Sequence, residues 1–137
     1  EYAQGLGDQL NLYLRTSDVA RATPMLAELR TRMRQRGVAD DHEQFAYFYA
    51  MEATLDRLRG DTAAAERHQR EAIRRLETSA SDVDVAVARA TLAEDVAARG
   101  ARAEARKLLD QALPVMRDAL LPAERNLANA ERLATSL

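Results

Sequence analysis

The chain of 137 residues contains no cysteine. Without thiols there is no disulfide framework and no thiolate metal site. The redox compartment is therefore unmarked, and a reducing cytoplasm fits. Only five glycines and three prolines punctuate the sequence, so long helices are allowed almost throughout. No run approaches the ~20 apolar residues that a membrane-spanning helix needs. The start, Glu1-Tyr2-Ala3-Gln4, shows no basic region followed by an apolar stretch, so no signal peptide is read. It also lacks an initiator methionine, and the chain reads as a processed or excised piece of a longer protein. An excess of one charge is missing too: 20 basic and 22 acidic residues leave a net charge of −2. Nucleic-acid binding normally shows as a basic excess, and membrane-surface anchoring as a polybasic segment. Neither partner is expected. Lysine is almost absent. Lys107 is the one lysine among the 20 basic residues, and that balance suggests a GC-rich bacterial genome.

What is present is helical periodicity. The length suits one domain, 1–137, with a real core, and the 47 % hydrophobic content is ordinary for a globular chain. Leu6, Leu10, Tyr13 and Leu14 form a first stripe, ended by Thr16-Ser17-Asp18. Met25, Leu26, Leu29 and Met33 form a second, ended at Gly37. This helix starts either at Thr23-Pro24, with proline at the first helical position, or near Asp18 with a bend at Pro24. A third segment opens at Asp40-Asp41 and carries Phe48, Met51, Leu55 and Leu58. Gly60-Asp61 ends it and caps the next, which holds Ala65, Ala72, Ile73 and Leu76. After Ser79, Ser81 and Asp82 comes a fifth, with Val85, Leu92 and Val96. Val83, Val85 and Val87 alternate as a strand would, but the Ala-rich continuation favours helix. The sixth carries Ala105, Leu108, Leu109, Ala112, Met116, Ala119 and Leu120, with Pro114 inside at the cost of a backbone bond. Pro122 ends it or starts a seventh, with Leu127, Ala130, Ala134 and Leu137. Helices joined by such short breaks form antiparallel hairpins.

The segments resemble one another. Gly60-Asp61-Thr62-Ala63-Ala64-Ala65 is followed seven residues later by Ala72. Gly100-Ala101-Arg102-Ala103-Glu104-Ala105 is followed seven later by Ala112. A degenerate copy is Ser17-Asp18-Val19-Ala20-Arg21-Ala22, then Leu29. A tight turn needs Gly or a small polar residue. A small side chain then lets the second helix approach the first, and the same face returns seven residues on. Hairpins of this kind stack, because one alone cannot bury both faces. The pattern resembles the tetratricopeptide repeat, with Tyr49, Ala53, Leu92 and Ala93 matching the large and small positions of its first helices. The offset of 40 residues between the two clear copies is longer than the ~34 of the common form. It resembles the long-helix variant found in C-terminal regions of bacterial serine/threonine kinases and winged-helix regulators. The first copy departs most, lacking both the Gly and the second Ala, and Glu52 stands where an apolar residue is expected.

Chemistry-bearing motifs are sparse. His42 and His68 lie on different segments, with no second imidazole at ligand spacing. Asp40-Asp41-His42-Glu43 reads as a helix start whose acids suit the dipole, and His68-Gln69-Arg70-Glu71 as a solvated face. There is no nucleophile motif, and Gly5-Leu6-Gly7 lacks the rest of a phosphate loop. Asp82 with Asp84, and Glu94 with Asp95, point in different directions on a helix. Arg59-Gly60-Asp61 is explained as turn and cap. Arg30, Arg32, Arg34 and Arg36 alternate by two, so they do not line one face and read as a solvated helix end.

Tyr47 falls off the stripe of Phe45 and Phe48. In the tetratricopeptide family the first helix of each hairpin lines a concave peptide-binding groove. That resemblance points to Asn11 and Arg15 on the first hairpin, Tyr47, Thr54 and Arg57 on the second, and Glu94 on the third. Tyr and Arg are also enriched at binding hot spots. The expectation is thus an all-α, tetratricopeptide-like right-handed superhelix of three antiparallel hairpins plus a C-terminal capping helix. It serves as a cytoplasmic protein–protein interaction or scaffold module of a bacterial signalling or regulatory protein. No enzyme activity, metal or cofactor is expected. The alternatives are a homodimer built on an unpaired apolar edge at Leu6, Leu10 and Leu14, and a small-ligand sensor domain of a transcriptional regulator.

Overall fold

The computed structural model describes residues 2–39 and 43–137. These residues form helices and no strand. In chain order the helices are α1 (Tyr2–Arg15), α2 (Val19–Gln35), α3 (Glu43–Leu58), α4 (Thr62–Ser79), α5 (Asp82–Ala98), α6 (Arg102–Ala119) and α7 (Arg125–Ser136). The acidic start expected at Asp40-Asp41, and His42 with it, lies outside the described residues. Contacts group into two units, Glu1–Arg75 and Leu76–Leu137, with the boundary inside α4.

The three short turns after α1, α3 and α5 are built alike, and the end of α2 closes the same way, Gly37 (φ 74°) donating to Arg34 and Val38 to Met33. After α1, the Ser17 N–H donates to the Leu14 carbonyl and the Asp18 N–H to the Tyr13 carbonyl. After α3, Gly60 donates to Arg57 and Asp61 to Asp56; after α5, Gly100 donates to Ala97 and Ala101 to Val96. This crossed pair of bonds closes a helix end whose next residue is left-handed. Ser17, Gly60 and Gly100 hold that position, with φ of 59°, 80° and 89°. The degenerate first copy therefore makes the same turn as the others, with a serine in place of glycine. Asp18 then caps α2 by accepting from the Arg21 N–H, and Asp61 caps α4 by accepting from the Ala64 N–H. Arg59 donates to the Thr23 hydroxyl at 2.6 Å, so each residue of Arg59-Gly60-Asp61 has a local structural task.

The small residues of the three copies sit where close approach requires them. Ala22, Ala65 and Ala105 are completely buried, as are Ala72 and Ala112 seven residues after the last two. In the first unit, α3 packs against both helices of the α1–α2 hairpin. In the second, α7 packs against both helices of the α5–α6 hairpin. The first core gathers Leu10, Leu26, Met33, Phe45, Phe48 and Leu55. Phe45 and Phe48 meet edge to face at 6.1 Å. The second centres on Leu92, Val96, Leu109, Met116 and Leu127. Each such side chain contributes roughly 1.5–3 kcal/mol on burial.

Four local questions are settled by this geometry. The α2 helix begins after Asp18 and contains Pro24, rather than starting there. The valines of α5 belong to a helix, started by the Ser81 hydroxyl accepting from the Asp84 N–H. Pro114 lies within α6, whose 18 residues run without a break, although Ala119 at its end is exposed rather than part of the buried stripe. Pro122 precedes α7, which is capped by Glu124 accepting from the Asn126 and Leu127 N–H groups. One expectation is corrected. Leu6, Leu10 and Leu14 are 8 %, 0 % and 6 % exposed, so they supply no unpaired edge for a second copy. Their faces are covered by α2 and α3 of the same unit.

Candidate functional site

The expected binding residues fall into three places. Asn11 and Arg15 are exposed on α1, one turn apart, on the side away from Leu6, Leu10 and Leu14. Tyr47 is 42 % exposed on α3. Thr54 lies two turns further along the same face, half-buried, with its hydroxyl donating to the Ala50 carbonyl at 3.1 Å. Arg57 turns toward α4 and donates to Gln69 Oε1 at 3.1 Å, which satisfies the oxygen of a side chain only 3 % exposed. Glu94 is exposed on α5, in the second unit. The structure thus brings Asn11 and Arg15 onto one helix face and Tyr47 and Thr54 onto another. These helices, α1 and α3, touch within the first unit. Sequence reasoning missed Leu12, which is 47 % exposed beside Asn11. Its signal was available, because Leu12 lies opposite Leu10 at two residues' separation on a 3.6-residue period.

A second arrangement lies between α2, α3 and α4. Glu52 and Asp56, one turn apart on α3, both reach His68 on α4. The imidazole Nε2 is 3.3 Å from Glu52 Oε2, and its Nδ1 is 2.5 Å from Asp56 Oδ2. Tyr49 stacks on the imidazole at 6.2 Å, and the Arg75 guanidinium lies over the Tyr49 ring at 4.8 Å. From α2, Arg30 lies over Phe48 at 5.7 Å. Arg30 Nε and Glu52 Oε1 are buried without a hydrogen-bond partner.

Burial pushes the Glu52 carboxyl above its ordinary range. His68 and Arg30 pull it back, and Asp56 adds to the rise. A buried charge is costly unless fully paired, and only one of the two Glu52 oxygens is paired. These contacts overturn the reading of His68 and Gln69 as a solvated face. Arg30 likewise leaves the solvated helix end assigned to it, while Arg32 behaves as expected and pairs with Glu28 at 3.2 Å. The physical reason is α3. Glu52 and Asp56 stand on its core-facing side, so α4 must present polar partners there or leave both carboxylates unmatched. The break in the apolar pattern at Glu52 was the visible sign.

Chemically, this cluster places two carboxylates against the two nitrogens of one imidazole. Among the described residues, no group of three or more His, Cys, Asp and Glu side chains is placed to hold a metal ion. No helix there is long and apolar enough to cross a membrane. In the second unit an ion pair joins two helices. Arg117 grips Glu131 with two hydrogen bonds of 2.8 and 2.7 Å, joining α6 to α7. A scan against protein-family models gives no match for this sequence, and a search of curated proteins finds no similar one.

Proposed function

We propose that this chain is a tetratricopeptide-like interaction module that binds a peptide or helix of a protein partner on the outward faces of its first helices. The observation that carries this reading is the pair of exposed apolar side chains, Leu12 and Tyr47, on two touching helices of one unit. Leu12 stands beside Asn11 and Arg15 on α1, and Thr54 lies two turns from Tyr47 on the same face of α3. An aromatic anchor with a polar surround is the composition of binding hot spots. The repeat reading is supported by the three like-built turns, the buried alanines that follow them, and the packing of α3 and of α7 on the preceding hairpin. On this reading the protein is a cytoplasmic scaffold of a bacterial signalling or regulatory system, and its work is to hold partners rather than transform them. Glu94, on α5 of the second unit, is a separate proposed binding residue of that unit. Arg57, further along α3, is held toward α4 by Gln69.

The test is affinity capture from the host's lysate, read by mass spectrometry, with Leu12→Ser/Tyr47→Ala as the control and circular dichroism to verify its helicity. A partner held by the native chain and lost from the folded control is the expected result. A partner held equally by both places the binding face elsewhere. Capture of nothing but the bait contradicts the interaction reading.

A further inference from the structure

The interaction reading leaves the cluster of Glu52, His68 and Asp56 unused. Two contacts converge on one imidazole, one at each ring nitrogen. Each contact is a hydrogen bond only if a proton lies in it. The two contacts therefore need two protons, shared among three groups. A neutral ring between two ionised carboxylates holds one. One nitrogen lone pair then faces a carboxylate oxygen, across 3.3 Å at Glu52 or 2.5 Å at Asp56. Water is poorly placed to relieve this. The side chains of His68, Glu52 and Asp56 are 27 %, 19 % and 12 % exposed, and Glu52 Oε1 is already buried without a partner.

We propose that Glu52, His68 and Asp56 form a proton-held clasp between α3 and α4, closed when the three groups share two protons and loosened when they keep one. The charged and titratable groups facing the clasp come from each packed element of the unit. Arg30 approaches from α2. Tyr49 and Arg57 lie beside it on α3, the first stacked on the imidazole and the second bound to Gln69. Arg75, over Tyr49, and Glu71, which accepts from Arg75 at 2.7 Å, come from α4. The permanent cations favour ionised carboxylates, and burial opposes them. At Glu52 burial is the stronger influence and raises its carboxyl above the ordinary range.

A fold that binds a proton more firmly than the unfolded chain gains stability as pH falls and loses it as pH rises. Because α3 also carries Tyr47 and Thr54, loosening the clasp lowers the local stability of the helix that presents them.

The experiment is chemical unfolding of the full chain across the range where histidines titrate, about pH 5 to 8, for the native protein and for Glu52→Gln. A glutamine amide donates to the ring nitrogen without drawing a proton from solution. The variant therefore keeps two donors at every pH. The folding equilibrium constant of the native chain is expected to fall about tenfold across this range, the loss of one charge-assisted hydrogen bond. That of Glu52→Gln stays level, so the two curves converge or cross as pH rises. His42 is present in both chains and cancels in the comparison. Parallel curves with a constant offset overturn the proposal. Should Glu52→Gln not fold, Asp56→Asn supplies the same donor at the other nitrogen and is expected to flatten the curve equally. Hydrogen exchange of the native chain gives an independent reading. Protection of α3 and α4 must fall relative to α1 and α2 over the same range, and unchanged relative protection overturns the clasp whatever the variants do.

Discussion

Ser17 occupies a left-handed turn position that Gly37, Gly60 and Gly100 fill at the other helix ends of this kind. Holding a residue with a side chain there costs roughly 1–2 kcal/mol. Ser17→Gly is therefore expected to stabilise the protein by about 1 kcal/mol, read as a higher urea midpoint with unchanged slope. Gly60→Ala should move the midpoint the other way by about 1 kcal/mol. An added Cβ at Gly60 meets nothing within 4 Å, so the backbone alone sets that cost. A midpoint unmoved by both substitutions would contradict the shared turn geometry. At this same scale the sequence was an incomplete guide. The alanines and the glycine turns could be placed from spacing alone, because close approach and a left-handed φ each demand a particular residue type. His68 and Gln69 could not. Their setting depends on which face of α3 carries Glu52 and Asp56, and a single helix does not contain that information.

Single helices were more legible. Seven apolar periods correspond to the seven helices of the described residues, because each stripe is bounded by a cap or a turn residue with its own physical cause. Pro24 shows where that logic weakens. Asp18 offers a side-chain cap and Thr23-Pro24 offers a fixed φ, and the earlier cap prevails because it also completes the α1–α2 turn. The three turns lead to a prediction. Asp18 and Asp61 accept a backbone N–H at their helix starts, whereas Ala101, at the matching position before α6, has no side-chain oxygen to do so. Ala101→Asp is expected to stabilise by roughly 0.5–1 kcal/mol, and Asp61→Ala to destabilise by about 1 kcal/mol, both read from thermal or urea unfolding.

The α7 helix offers a further test. The Arg117 guanidinium holds the Glu131 carboxyl below its ordinary range. A carboxyl whose folded value is depressed contributes stability that is present above the ordinary carboxylate range and lost as pH falls through the folded value. Exposed pairs of this kind are also weakened by salt. Acidification below about pH 4.3 should thus increase hydrogen exchange at α7 before α5, and Glu131→Gln should abolish that difference. Exchange at α7 that is indifferent to both would leave the pair without a stabilising part.

At this scale the described residues form helices and short connections with no strand, and their cores are built mainly from leucine, alanine and a few aromatics. Tyr47 and Leu12 are the large apolar side chains that α3 and α1 leave outside. Tyr47 was legible as a departure from the core stripe. Leu12 was not singled out, because leucine next to Leu10 and Leu14 reads first as core. Which partner meets these side chains depends on shape and charge in another molecule, and one sequence holds only half of that. The most direct measurement is selection of a displayed random-peptide library against the native chain, followed by titration of the enriched peptides into the native protein and a folded Tyr47→Ala variant. The account predicts that peptides are enriched, and that Tyr47→Ala weakens them by about thirtyfold, the ~2 kcal/mol of a hot-spot residue. Peptides that bind both chains equally, or a library that enriches nothing on the native protein, would contradict it.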